Sequence, residues 1–258
     1  MSEHVRVAIE DHILRLTLAR PEKKNALSLA MYSALGAALT KAETDPNVRA
    51  ILLDAEGDAF TAGNDLADFA AVAAGKLDRQ EMTSQIFLHA LARADKPIVA
   101  AVQGFAVGIG VTMLLHCDLV YVAEDAKLTT PFVGLGLVPE AASSWLLQAR
   151  IGYARAFAMI GLGEAIDGKT AAAYGLANLA LPAAQVRPRA LAAAERLAES
   201  AIGSLQASKR LMRDPALIKA TMDRESAVFG ERLKSAEAAE ALQAFAERRP
   251  PNFRGIKS

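Results

Sequence analysis

From Pro97 to Cys117 (PIVAAVQGFAVGIGVTMLLHC) no side chain carries a permanent charge. A run of about twenty such residues is long enough to cross a bilayer, and otherwise belongs in a protein core. Gln103 and three glycines (Gly104, Gly108, Gly110) split it into two short halves, and neither an aromatic belt nor a basic flank brackets it. The pattern predicts a buried β-branched strand over 98–102, a glycine-rich bend and a buried helix from about Val111.

The flanking segments supply the covering layers. Residues 5–9 (VRVAI) and 13–18 (ILRLTL) alternate with period two around Glu10-Asp11-His12, a hairpin ended by Arg20-Pro21. Ser28 stands before a helical segment, Leu29 to Glu43, with Met31, Leu35, Ala38, Leu39 and Ala42 at helical spacing. Asp45-Pro46 closes it. Val48–Leu53 reads as a buried strand, residues 80–94 as a helix and Leu119–Val122 as a further strand. Strands alternate with helices to about residue 180, which predicts an α/β layered fold with largely parallel pairing. From Ala183 onward almost everything reads as helix, punctuated by Gly203 and Pro215. The expected division is near residue 195, into an α/β core (1–195) and a helical region (196–258). Glu231–Arg248 reads as one amphipathic helix that packs on a neighbour rather than on its own core.

Charge and composition narrow the function classes. The chain has 258 residues, and its 29 Lys+Arg balance 29 Asp+Glu, leaving no electrostatic footprint for nucleic acid or an anionic membrane. One cysteine, Cys117, excludes an intramolecular disulfide and a cysteine-cluster metal site. His4, His12, His89 and His116 are scattered without ligand spacing, so no metal is expected. The opening MSEHVRVAIEDH has no secretory-signal pattern, and the expected location is cytoplasmic.

Three features can carry chemistry. One glycine-containing bend, Phe60-Thr61-Ala62-Gly63-Asn64-Asp65-Leu66, follows the 48–53 strand; a second, Gly104 to Gly110, follows the 98–102 strand. Small residues let backbone N–H groups approach a ligand, and two such bends aimed at one point make an oxyanion hole from backbone alone. The same glycines also serve plain strand-to-helix turns. The third feature is Glu140, after Pro139 and ahead of an apolar helical run. It is either a general base or a carboxylate stabilised at a helix start. No G-x-S-x-G elbow or Walker A is present, and Met113 stands where a dinucleotide fingerprint needs its third glycine.

Together these segments resemble the crotonase (enoyl-CoA hydratase/isomerase) superfamily over essentially the whole chain. The matching stretches are Arg20-Pro21-x-x-x-Asn25-Ala26-Leu27, Phe60-x-Ala62-Gly63-Asn64-Asp65-Leu66, Lys96-Pro97…Gly104-x-Ala106-x-Gly108-x-Gly110, Cys117-Asp118-Leu119 and Phe245-x-Glu247-Arg248-Arg249. The resemblance implies a spiral of ββα repeats followed by a C-terminal α-helical oligomerisation region, assembled as a homotrimer or dimer of trimers. It implies a coenzyme A thioester substrate and no resident cofactor. It places the oxyanion donors at the Asn64 and Ile109 N–H groups. CoA and substrate contacts fall on Lys24, Asn25, Ala26, Ala62, Asp65, Leu66 and Phe132, with Arg248 at the 3′-phosphate from its own or a neighbouring subunit.

The departures from that family are specific. Its hydratases carry two glutamates at positions held here by Thr112 and Phe132. Activating a water and delivering a proton to the adjacent carbon needs two such groups, so hydration of the usual kind is not expected. Thr130-Pro131-Phe132 with Val138-Pro139-Glu140 and Ser143-Ser144 resembles instead the peroxisomal-type Δ3,Δ2-enoyl-CoA isomerase branch, in which one glutamate, matching Glu140, is the base. A partly apolar surround of Val138, Phe132 and, if it folds back, Trp145 is expected to lift its pKa toward about 6–7, and Phe132 to help exclude water. The alternatives are hydration or other enolate chemistry on an acyl-CoA, and acyl-CoA binding without catalysis.

Overall fold

The structure, a computed structural model, describes residues 2–65, 67–68 and 84–256. Its main sheet opens with the expected hairpin, β1 (Val5–Glu10) antiparallel to β2 (Ile13–Leu18), turned by Asp11 and His12 in left-handed conformation. Next to β2 come β3 (Ala50–Ala55), β4 (Ile98–Val102), β6 (Leu119–Ala123) and β9 (Leu179–Leu181), all parallel, in the order β1-β2-β3-β4-β6-β9. Every residue of β3 and β4 is buried, as continuous apolar runs in a parallel sheet covered on both faces should be.

A second sheet, β5 (Phe105–Val107), β7 (Lys127–Thr129) and β8 (Ile166–Asp167), runs in the order β5-β7-β8. Two isolated parallel bridges, Thr61 with Ala106 and Leu27 with Asn64, continue its pairing toward the N-terminal half. Each turn of the chain thus gives one strand to the main sheet, one extended segment to the second layer, and then a helix. This is a crotonase-type spiral of ββα units. α1 (Leu29–Thr44) starts at Ser28, whose hydroxyl accepts the Met31 N–H, and buries Met31, Tyr32, Leu35 and Leu39 against α2 (Ser84–Arg93).

The uncharged stretch is resolved into β4, β5, one helical turn α3 (Ile109–Thr112) and a 3-10 turn, Met113–His116, and its centre is buried. Among the described residues no helix is long and apolar enough to cross a membrane. Two details differ from expectation. The 104–110 bend contains β5, three residues being too few to show a period in the sequence. Its helix begins at Ile109, behind Gly108 with φ 55°, and lasts a single turn.

Between β7 and β8 come α4 (Ser143–Ile151) and α5 (Tyr153–Gly161), and after β8 come α6 (Gly168–Tyr174) and α7 (Ala183–Glu199). The boundary expected near residue 195 lies within α7, which packs across β3, β4 and β6 as part of the core. Beyond it are α8 (Ile202–Met212), α9 (Pro215–Leu233) and α10 (Ala236–Ala246). The helix expected over 231–248 is therefore broken at Lys234-Ser235: the Ser235 hydroxyl accepts the Ala238 N–H and starts a new helix. Ala238 then packs with Leu137, Phe229 and Leu233 of the same chain, so this arm has an intrachain apolar seat.

Candidate active site

Asn25 organises the first loop. It is fully buried with φ 55°; its Oδ1 accepts the Arg20 N–H at 2.7 Å, and its Nδ2 donates to the Glu56 and Ala59 carbonyls at 2.8 Å. Arg20 in turn donates to the Ala26 carbonyl (3.0 Å) and to Asp65 (2.7 Å). Burial disfavours the Asp65 carboxylate, but Arg20 and the Ala67 N–H outweigh it and hold its pKa below the ordinary value. The 20–27 and 60–65 loops are thus tied together.

The second-layer bridges aim the next two loops. Leu27 N–H donates to the Gly63 carbonyl and Asp65 N–H to the Leu27 carbonyl, which turns the Asn64 N–H away from Leu27. Thr61 N–H donates to the Phe105 carbonyl and Val107 N–H to the Thr61 carbonyl, setting the 104–110 loop alongside. Neither the Asn64 nor the Ile109 N–H has an acceptor among the described residues. Gly63 (φ 93°) lies so close to Val107 that a Cβ would stand 2.9 Å from its carbonyl oxygen. Two unsatisfied amides thus stand on touching loops, and the one at Ile109 opens a helix.

Glu140 is followed by Ala141 and Ala142, both left-handed (φ 60° and 58°), before α4 begins. It is therefore not a first-turn residue of that helix. Left-handed alanine costs roughly 1–2 kcal/mol per residue, so this turn persists only where surrounding contacts hold it. Two groups do. Glu225 of α9 accepts the Ala142 N–H at 2.6 Å and the Ser144 N–H at 2.8 Å. His116 Nε2 lies 2.8 Å from the Ala141 carbonyl, and its Nδ1 lies 3.2 Å from the Arg213 guanidinium. Burial first, then Arg213, lowers the His116 pKa to about 3, so the ring is neutral. A carbonyl only accepts and a guanidinium only donates, so the proton sits on Nε2.

The Glu140 side chain lines a small cavity with Asn64, Gln85, Leu88, Met222 and Glu225. The residue keeps partial exposure, but its Oε1 is out of water contact and has no hydrogen-bond partner among the described residues. Burial, and second the charge of Glu225, raise the Glu140 pKa to about 7. From α1, the Tyr32 hydroxyl donates to Asn64 Oδ1. Burial, and then the charges of Glu140 and Asp68, push the tyrosine pKa well above its ordinary value. Among the described residues no cluster of three or more His, Cys, Asp or Glu is placed to hold a metal ion.

A profile of the enoyl-CoA hydratase/isomerase family matches residues 8–256. The chain belongs to that family. A solved enoyl-CoA hydratase/isomerase from Pseudoalteromonas atlantica is 41% identical and superposes with a TM-score of 0.92 over 97% of this chain and 100% of that one. A Bacillus subtilis protein named probable enoyl-CoA hydratase is 34% identical over 97% of this chain and 98% of its own length. Rat enoyl-CoA delta isomerase 2 is 32% identical over 96% of this chain and 65% of its own. Enzymes of the enoyl-CoA hydratase/isomerase family act on acyl-CoA thioesters, and this chain carries their fold with a site of its own composition.

Against the expectations for a family member, the structure brings Asn64 and Glu140 to one cavity and seats Ile109 on the loop beside Asn64. Phe132 is buried but is not among the residues lining that cavity. Trp145 lines a different cavity of about 460 Å³, with His116 and Arg213, and Val138 packs on the Leu137 and Phe229 cluster. Burial is the first cause of the raised Glu140 pKa, as expected, and the charge of Glu225, to which the sequence did not point, is the second. Asn25 is used up by the loop itself. Lys24 gives its carbonyl to the Ala62 N–H and its ammonium to Asp58, while Arg248 is exposed, and Leu66 lies outside the described residues. Thr112 is buried, and its hydroxyl has no partner among the described residues. Cys117 is buried and its pKa raised to about 12 by burial, an inert thiol. Sequence reasoning missed Tyr32 and Glu225. The second had a signal: Glu225 interrupts the helical stripe of Ile218, Met222 and Phe229, a charge on a face that is otherwise buried.

Proposed function

We propose that this enzyme moves the double bond of a 3-enoyl-CoA to the trans-2 position. The thioester carbonyl binds between the Asn64 and Ile109 N–H groups. Glu140 takes a proton from C2; the C–H electron pair moves into the C2–C1 bond and the carbonyl pair onto oxygen, giving a dienolate. The same carboxyl then returns a proton at C4. Each amide donor contributes roughly 3–4 kcal/mol to the charge that develops on oxygen. The chemistry balances without a metal or redox cofactor, and CoA arrives as part of the substrate.

The observation that carries this reading is Glu140 itself: it is the carboxyl of the Asn64 cavity that keeps an oxygen free of hydrogen bonds, and its pKa is about 7, near the value a general base needs at neutral pH. Threonine and phenylalanine at the hydratase glutamate positions support it. The backbone around Lys24–Ala26 and Ala62 is assigned to the adenine and pantetheine, with Asp65 and Leu66 beside them. Arg248 is assigned to the 3′-phosphate. A homotrimer or dimer of trimers is the proposed assembly, supported by the exposure of Leu211 and Met212 at 89% and 85% and of Tyr153 and Phe157.

Glu140→Gln tests the base. With cis- and trans-3-enoyl-CoA, formation of the conjugated 2-enoyl product should fall by at least a hundredfold, in line with loss of general-base catalysis. Near-normal turnover would reject the assignment. A second reading, hydration, draws on Glu225 as another carboxylate in the same cavity and on the hydratase name of the Bacillus relative. Against it, both Glu225 oxygens are engaged by backbone amides. Incorporation of solvent oxygen into the product separates hydration from isomerisation.

A further inference from the structure

We infer that Glu225, from the C-terminal helical region, is the positioning residue for Glu140: its carboxylate grips the two amides that follow the base and so fixes where the base points. This rests on the reading of Glu140 as base.

The argument begins with the turn. Ala141 and Ala142 occupy a backbone region that favours glycine, directly after Glu140. One carboxylate, with an oxygen for each amide at 2.6 and 2.8 Å, satisfies two buried N–H groups at once. A neutral amide side chain has a single oxygen and would leave one of them facing its NH2 group. His116 holds the Ala141 carbonyl from the opposite side. The segment 140–144 is therefore fixed by hydrogen bonds from the Met113–His116 turn and from α9 together.

The choice of a charged clamp also acts on the base. Glu225 is only 8% exposed and lines the same cavity as Glu140, so two carboxyls share one poorly hydrated place. The groups facing Glu140 are Tyr32 from α1, with its hydroxyl committed to Asn64; neutral His116 behind the turn; and Glu225 from α9. Arg224, next to Glu225, reaches the Thr221 hydroxyl at 3.5 Å. No cation is bonded to Glu140 among the described residues. Burial raises the Glu225 pKa above its ordinary value, while the two N–H donors and Arg224 act against that shift. Once ionised, Glu225 is a fixed anion held at the Ala142 and Ser144 amides, and it makes the neighbouring Glu140 carboxyl a stronger proton acceptor. The C-terminal helices thus reach the reacting end of their own chain's site.

The test compares pH profiles of 3-enoyl-CoA isomerisation in the wild type, Glu225→Gln and Glu225→Asp. In Glu225→Gln the midpoint of the acid limb should move down by about one pH unit, and the plateau kcat should fall about tenfold or more, with KM nearly unchanged. Glu225→Asp keeps the charge on a shorter stem, so kcat should fall while the midpoint stays near its wild-type place. A midpoint unmoved in Glu225→Gln overturns the proposal. Should these variants not fold, carbon-13 titration of glutamate-labelled wild-type enzyme decides: two linked carboxyl transitions support the pair, and independent ordinary transitions overturn it. Glu140→Gln separates the two ideas. An active Glu140→Gln enzyme removes the base assignment, whereas an inactive one with an unmoved Glu225→Gln midpoint removes only the role of Glu225.

Discussion

Gly110 lies directly against Thr61: a Cβ on the glycine would stand 2.6 Å from the Thr61 methyl and 3.3 Å from its carbonyl oxygen. This contact sets the loop bearing Ile109 beside the loop bearing Asn64, and any side chain at 110 forces them apart. Gly110→Ala is predicted to lower stability by about 1–3 kcal/mol, the usual range for overpacking. Its kcat should drop more steeply than its stability, because the two amide donors would no longer meet at one point. Urea unfolding alongside isomerisation kinetics checks this; an alanine enzyme with wild-type kcat would disconnect the loop contact from catalysis.

Tyr32 and Asn64 are joined side chain to side chain, through a hydroxyl buried in the α1 layer. Tyr32→Phe removes that donor with little change of shape. Stability should fall by about 1 kcal/mol, and kcat by several-fold as the Asn64 loop loses its anchor. A fall in stability with unchanged kcat would make the bond purely structural.

Glu140 has a predictable effect on stability with pH. Its folded pKa, about 7, lies above the ordinary 4.5, so folding disfavours the ionised form. The loss that comes from Glu140 alone is absent below about pH 4.5 and grows as pH rises to about 7. The loss approaches about 3 kcal/mol at about 1.4 kcal/mol per pH unit. Glu140→Gln carries no charge and escapes this loss. It should be inactive yet more stable than the wild type at pH 8, with the difference vanishing near pH 4.5. Equal stability of the two proteins at pH 8 in urea unfolding would place the Glu140 pKa at its ordinary value.

Much of the architecture was legible in the chain because it is written locally. The period-two hairpin, the capped helix after Ser28, the apolar runs of β3 and β4 and the two glycine bends each follow from neighbours a few residues apart. Residue identity likewise singled out Glu140, through its resemblance to a family position. The short strands β5, β7 and β8 escaped because two or three residues show no period. Asn64 was marked as a backbone donor, but not that Tyr32 would hold its side chain. Glu225 lies more than eighty residues from the amides it binds. Hydrophobic periodicity states which face of a helix is buried and is silent on which buried faces meet. The strength of Glu140 as a base depends on that meeting, since burial and a neighbouring charge from α9 set it. The amino-acid order determined the layers, the loops and the acid; only the packed chain decided where the acid points and when it ionises.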